Sequence, residues 1–159
     1  MGTLFELLAD SDVTPRRSKL HLATPNGGCD PRELYRAGRF DEWQSCQSSK
    51  RKPFSSRKFV VALIDLRLPR DQPKRWLFAG VQEIVGEEVR EGAVHYQMQP
   101  RTRCEAFKNL IVRFERPCRY AYPYADRVDA SIFEVHEEDQ DDPNLDAYIR
   151  RPSPRGARR

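Results

Sequence analysis

Two apolar runs in the middle of the chain constrain its fold more than any other feature. Residues 59–66 (FVVALIDL) are compact and rich in β-branched side chains, and residues 76–85 (WLFAGVQEIV) follow after a turn with two prolines, LPRDQPK. Runs of this length, bounded by turn residues, read as buried strands. Gly80 inside the second run marks a bulge or a bend.

Further strands follow the same logic. Residues 93–98 (AVHYQM) alternate apolar and polar positions, and 110–114 (LIVRF) and 130–135 (ASIFEV) supply a fourth and a fifth strand. Residues 104–108 read as a helical turn. Upstream, 19–23 (KLHLA) alternate as a short strand. Short strands separated by turn signals predict a mainly antiparallel sheet, either a small β-barrel or a strongly curved sheet.

The helices gather before the strands, which makes the class α+β. Thr3 with Glu6 three residues later predicts a capped helical turn in residues 3–9. Asp30-Pro31-Arg32-Glu33 is a second start signal, with Asp as cap and Pro at the first helical position. Leu34, Tyr35, Phe40, Trp43 and Cys46 then line an apolar side, and Gly38 breaks the stretch into two short helices. The expected organisation is a helical turn and linker over 1–18, one domain over 19–138, and a disordered tail over 139–159, first acidic and then rich in Arg and Pro.

Charge matters here more by its distribution than by its sum. The net charge is +4, but residues 50–58 (KRKPFSSRK) carry Lys50, Arg51, Lys52, Arg57 and Lys58 without an acid. Residues 150–159 hold five arginines and no acid. Basic blocks attract phosphate by counterion release, or simply keep a protein soluble.

The four cysteines, Cys29, Cys46, Cys104 and Cys118, show no CxxC spacing. No pair of histidines has metal-ligand spacing, so neither a metal site nor a cofactor is expected. The start lacks a basic, apolar leader, and no apolar run approaches a membrane span, so the expectation is a cytoplasmic protein with no membrane partner.

Four stretches in series resemble the N-terminal region of bacterial GIY-YIG nuclease-family proteins. They are Phe40-Asp41-Glu42-Trp43-Gln44-Ser45 with Gln47, Arg57-Lys58-Phe59-Val60-Val61-Ala62-Leu63-Ile64, Trp76-Leu77-Phe78-Ala79-Gly80-Val81-Gln82-Glu83-Ile84, and Leu110-Ile111-Val112-Arg113-Phe114-Glu115-Arg116-Pro117. The likeness covers residues 20–135. In that group this region looks like a recognition domain placed before the nuclease domain, and its second strand is similar to strands of PUA- and EVE-type small barrels, which bind nucleic acid. The resemblance implies a DNA-binding module, DNA rather than RNA, with a separate nuclease subunit as a possible partner. The catalytic motifs themselves are missing: Tyr148-Ile149-Arg150 lacks the glycine and any partner strand.

The strongest candidate site is residues 110–124, where Arg113, Arg116 and Arg119 interleave with Tyr120, Tyr122 and Tyr124. Guanidinium groups suit phosphates and phenol rings suit stacked bases; alternatively, the tyrosines cover the barrel end and the arginines pair with Glu115 and Asp126. Trp43 and Gln44 beside the basic loop are candidates for base contact, as is Trp76, although both tryptophans also suit core packing. Asp65 and Glu83, on adjacent predicted strands, could converge on a metal in an alternative nuclease reading. An interaction subunit using the tail is a further alternative.

Overall fold

The computed structural model describes residues 2–25, 28–48, 54, 56–114 and 121–141. Near its start Thr3 caps α1 (Leu4–Leu8) through the expected capping box: the Glu6 amide donates to the Thr3 hydroxyl, and the Thr3 amide donates to Glu6 Oε1 at 2.8 Å. Leu4, Phe5, Leu8 and Val13 are buried in the main core. Residues 4–13, where a helical turn and linker were expected, thus pack into this core. Their apolar side chains find a sheet face that no local pattern announces.

β1 (Ser18–Ala23) is followed by α2 (Pro31–Arg36), which Asp30 caps by accepting from the Arg32 amide at 3.0 Å. Gly38, at φ +73°, turns the chain into α3 (Phe40–Ser45), and α3 runs directly into a strand the sequence did not announce, β2 (Cys46–Ser48). Then come β3 (Phe59–Asp65), the 16-residue β4 (Arg75–Arg90), β5 (Ala93–Pro100) and β6 (Ile111–Arg113). Residues 130–135, read as one strand, divide into a 3₁₀ turn (Ala130–Ile132) and the two-residue β7 (Glu134–Val135). The chain then forms α4 (Glu137–Gln140).

These strands build one mixed sheet with the path β1-β3-β4-β5-β2. β4 is the axis: β3 pairs along one edge, while β6 and β5 share the other edge, at its two halves. The α+β class holds. The sheet is mainly antiparallel, as expected; among the described ladders only β1 and β3 run parallel. Parallel neighbours need a long crossover, and residues 24–58 with α2 and α3 provide it. No ladder joins β1 to β2 among the described residues, so the sheet is not closed into a barrel.

Gly80 lies at the expected bulge. Ala62 pairs with Gly80 but Leu63 with Phe78, leaving Ala79 as the extra residue, and Gly80 takes φ +113°. A second register shift between Ile84 and Gly86 bends the far half of β4.

Both sheet faces are covered, which explains why all seven residues of β3 are buried. Phe59, Val61 and Leu63 point with Leu20 and Leu22 into a core closed by α1, Phe114 and Phe133. Ala62 and Ile64 face α2 and α3, while Val60 joins Phe54, Val94 and Tyr96 in a smaller cluster. Full burial of a side chain such as Phe59 or Phe78 contributes roughly 1.5–3 kcal/mol.

Asp139 is only 1% exposed and pairs with two arginines, so the described fold continues through Asp141. Among the described residues no helix is long and apolar enough to cross a membrane.

Candidate nucleic-acid interface

Cations from four separated segments converge on two rings. Lys19 Nζ lies 4.5 Å from the Tyr124 ring centroid, and the guanidinium carbons of Arg57 and Arg127 lie 4.5 and 4.6 Å from it. Arg17, Lys58 and Arg101 surround the ring of Phe59 at 5.3–5.4 Å. Arg17, Lys58 and Arg127 are exposed, as is Arg16 on the same turn.

Backbone bonds hold this face together. Lys19 bridges to Tyr124, and the amides of Leu20 and Leu22 donate to Pro123 O and Ala121 O at 2.9 and 2.8 Å. Residues 121–124 thus cover the free edge of β1. Arg57 donates to the carbonyls of Pro15 and Arg16 and pairs with Asp126 at 3.2 Å. Glu83 is shared between Arg101 at 3.2 Å and Lys58 at 4.0 Å. Ion pairs this open to water contribute at most about 1 kcal/mol, so Glu83 and Asp126 leave the face available to a stronger polyanion.

The field of the cluster is visible in its own groups. Burial first, and then the neighbouring Arg57 charge, hold the Lys19 amine below its ordinary value, with Tyr124 acting in the opposite sense. The Tyr124 phenol is lowered by its hydrogen bond with Ser56 and by the nearby Lys19, Arg127 and Arg57 charges.

Beside this face lies an aromatic box. His21, 1% exposed, stacks on Trp43 and Phe40 with ring centroids 5.4 and 5.8 Å apart, and meets Tyr122 at 5.1 Å and Phe54 at 5.4 Å. Its Nδ1 hydrogen-bonds Gln44 Oε1 at 2.7 Å. Desolvation pulls the imidazole down to about 4, opposed by the Gln44 bond. His21 is therefore neutral at pH 7. The Gln44 side chain is fully buried, and its Nε2 has no hydrogen-bond partner. In either orientation of the carboxamide one polar atom is left over, a state that ordinarily costs about 1–3 kcal/mol.

The sequence-predicted site residues divide four ways. Arg57, Lys58 and Tyr124 lie on the basic face. Lys50, Arg51, Lys52, Arg116, Arg119 and Tyr120 lie outside the described residues. Trp43, Gln44 and Tyr122 meet in the box, which the sequence did not connect. Two assignments are corrected. Arg113 is not on the rim: it grips the buried Asp139 at 2.7 and 2.9 Å. Trp76 is not a base contact: it is 4% exposed in the main core, donating from Nε1 to Phe114 O.

Sequence reasoning missed Arg16, Arg17, Lys19, Arg101, Arg127 and His21. Residues 16–19 (RRSK) held a local signal, a basic pair leading into an alternating strand, whereas Arg101 and Arg127 join only through tertiary contacts. The carboxylate alternative also finds its geometry. Asp65 pairs in register with Trp76 and Glu83 with Phe59, at opposite ends of the β3–β4 ladder. That separates them by roughly 20 Å at the usual strand rise. Asp65 instead accepts from the Arg67 amide and pairs with Lys74. No group of three His, Cys, Asp or Glu residues that could hold a metal occurs among the described residues.

No protein family, curated protein or solved structure matches the chain.

Proposed function

We propose that this chain is a nucleic-acid-binding module that takes DNA through the basic cluster around Tyr124. The observation that carries the reading is the gathering of three cations within 4.6 Å of one half-exposed phenol. Mutually repelling charges held this close are best relieved by an anion, and phosphate accepts from guanidinium and ammonium alike. The partly exposed rings of Tyr124, Tyr122 and Trp43 add surfaces that favour a nucleic acid over a simple anion. The resemblance of residues 20–135 to a nuclease-associated recognition region supports DNA as the nucleic acid, with catalysis supplied by a partner.

The test is an electrophoretic-shift series at two salt concentrations. Phosphate contacts make affinity fall steeply with salt, by a log–log slope near −0.7 per contact on single strands and −0.9 on duplex. Binding that ignores salt, or no binding at low ionic strength, removes the proposal.

A further inference from the structure

We propose that the aromatic box around His21 and Gln44 seats one unpaired nucleobase, whose own phosphate rests on the cations around Tyr124. This inference rests on the basic face being a nucleic-acid surface, and it adds which part of the ligand is read and where.

The partnerless amide is its starting point. Buried polar groups are nearly always satisfied, and Gln44 is fully buried with Nε2 unmatched. The side chains around the His21–Gln44 pair are mainly rings, Phe40, Trp43, Phe54 and Tyr122. A carboxamide N–H₂ donates to a ring nitrogen or carbonyl on a base edge, and the rings supply the stacking surface that such a base needs. The bond to the neutral His21 fixes one end of the carboxamide, so the polar atom left over is held in place before any ligand arrives.

Spacing is the second observation. Lys19 and His21 are alternate residues of β1 and so share a face, roughly 7 Å apart. Tyr124 and Tyr122 repeat that offset on the segment covering the β1 edge, Tyr124 over Lys19 and Tyr122 against His21. Cation site and ring site are therefore one strand repeat apart, the scale on which a nucleotide separates its phosphate from its base. Trp43 and Tyr122 are the half-buried members of the box, and entry displaces one of them from the His21 ring. A base held inside a duplex cannot reach this amide; an unpaired one can.

The deciding experiment compares the wild-type protein on a single-stranded DNA of roughly 10 nucleotides with an abasic strand of the same length. We expect the intact strand to bind roughly tenfold tighter or more. Its binding should quench tryptophan fluorescence, with the quenching lost in Trp43→Phe. Gln44→Met should bring the intact strand down to the abasic level. Equal affinity for the two strands overturns the base site and leaves the basic face standing. Binding of neither strand overturns both. Should Gln44→Met fold poorly, the two strands on the wild-type protein decide alone.

Discussion

Arg113 grips Asp139 through two hydrogen bonds, Nε to Oδ2 at 2.7 Å and Nη2 to Oδ1 at 2.9 Å. Arg75 approaches the same carboxylate at 3.2 Å. β4, β6 and α4 are thereby joined at one buried acid. Gln140 reinforces the joint, accepting from the Ile111 amide and donating to the Ile111 carbonyl.

Removing the acid leaves two partly buried guanidinium groups facing each other. We expect Asp139→Ala to destabilise the fold by about 3 kcal/mol, the cost typical of breaking a buried pair by deleting one partner. Urea unfolding measures it. A loss no larger than that of an exposed acid such as Glu87 would show that α4 is not anchored as described.

His21 makes stability pH-dependent in a definite window. Its folded-state value is about 4 against an ordinary 6.5. Between those values the unfolded chain takes up a proton that the folded chain refuses, so stability is full above pH 6.5 and falls on acidification. The total loss is about 3 kcal/mol by pH 4. His21→Phe should lack this component. Unfolding free energies of the two proteins that decline in parallel from pH 6.5 to 4 would contradict it.

Binding should separate the arginines of the rim from those of the frame. Arg127→Ala is expected to weaken DNA binding equally across sequences and to flatten the salt slope by about one phosphate contact. Arg113→Ala should lower stability and leave the salt slope unchanged, because its guanidinium is committed to Asp139. A reversal of the two outcomes places the interface on the other side of the sheet.

Gly80 occupies a backbone conformation, φ +113°, that L side chains rarely adopt, and a Cβ there would meet Glu105 Oε2 at 3.3 Å. We expect Gly80→Ala to cost about 1–3 kcal/mol. Thermal unfolding provides the check, and a neutral Gly80→Ala would mean that the bulge relaxes into another register.

Several of these features were legible in the sequence because their causes are local. The Thr3–Glu6 box, the Asp30 cap and the Gly38 break each depend on a few consecutive residues. The strands over 59–66, 76–85 and 93–98 were likewise readable from composition and alternation. The box was not. Gln44, Trp43 and Tyr122 were each singled out, but for separate reasons, and His21 was set aside for lack of a metal-type neighbour. A histidine answered by a carboxamide 23 positions away leaves no spacing to find.

The sequence by itself determined the strands over 59–66, 76–85 and 93–98, the helix starts at Thr3 and Asp30, where the main bulge falls, and that the class is α+β, since backbone preference and side-chain period act within one element. Only the tertiary structure decided that β1 runs parallel to β3, that Asp139 claims Arg113, and that the cations near Tyr124 come from residues far apart in the chain. Pairing and charge placement are settled by whichever distant surface best buries the apolar faces of each element. That choice is made between elements, and no single stretch of residues encodes it.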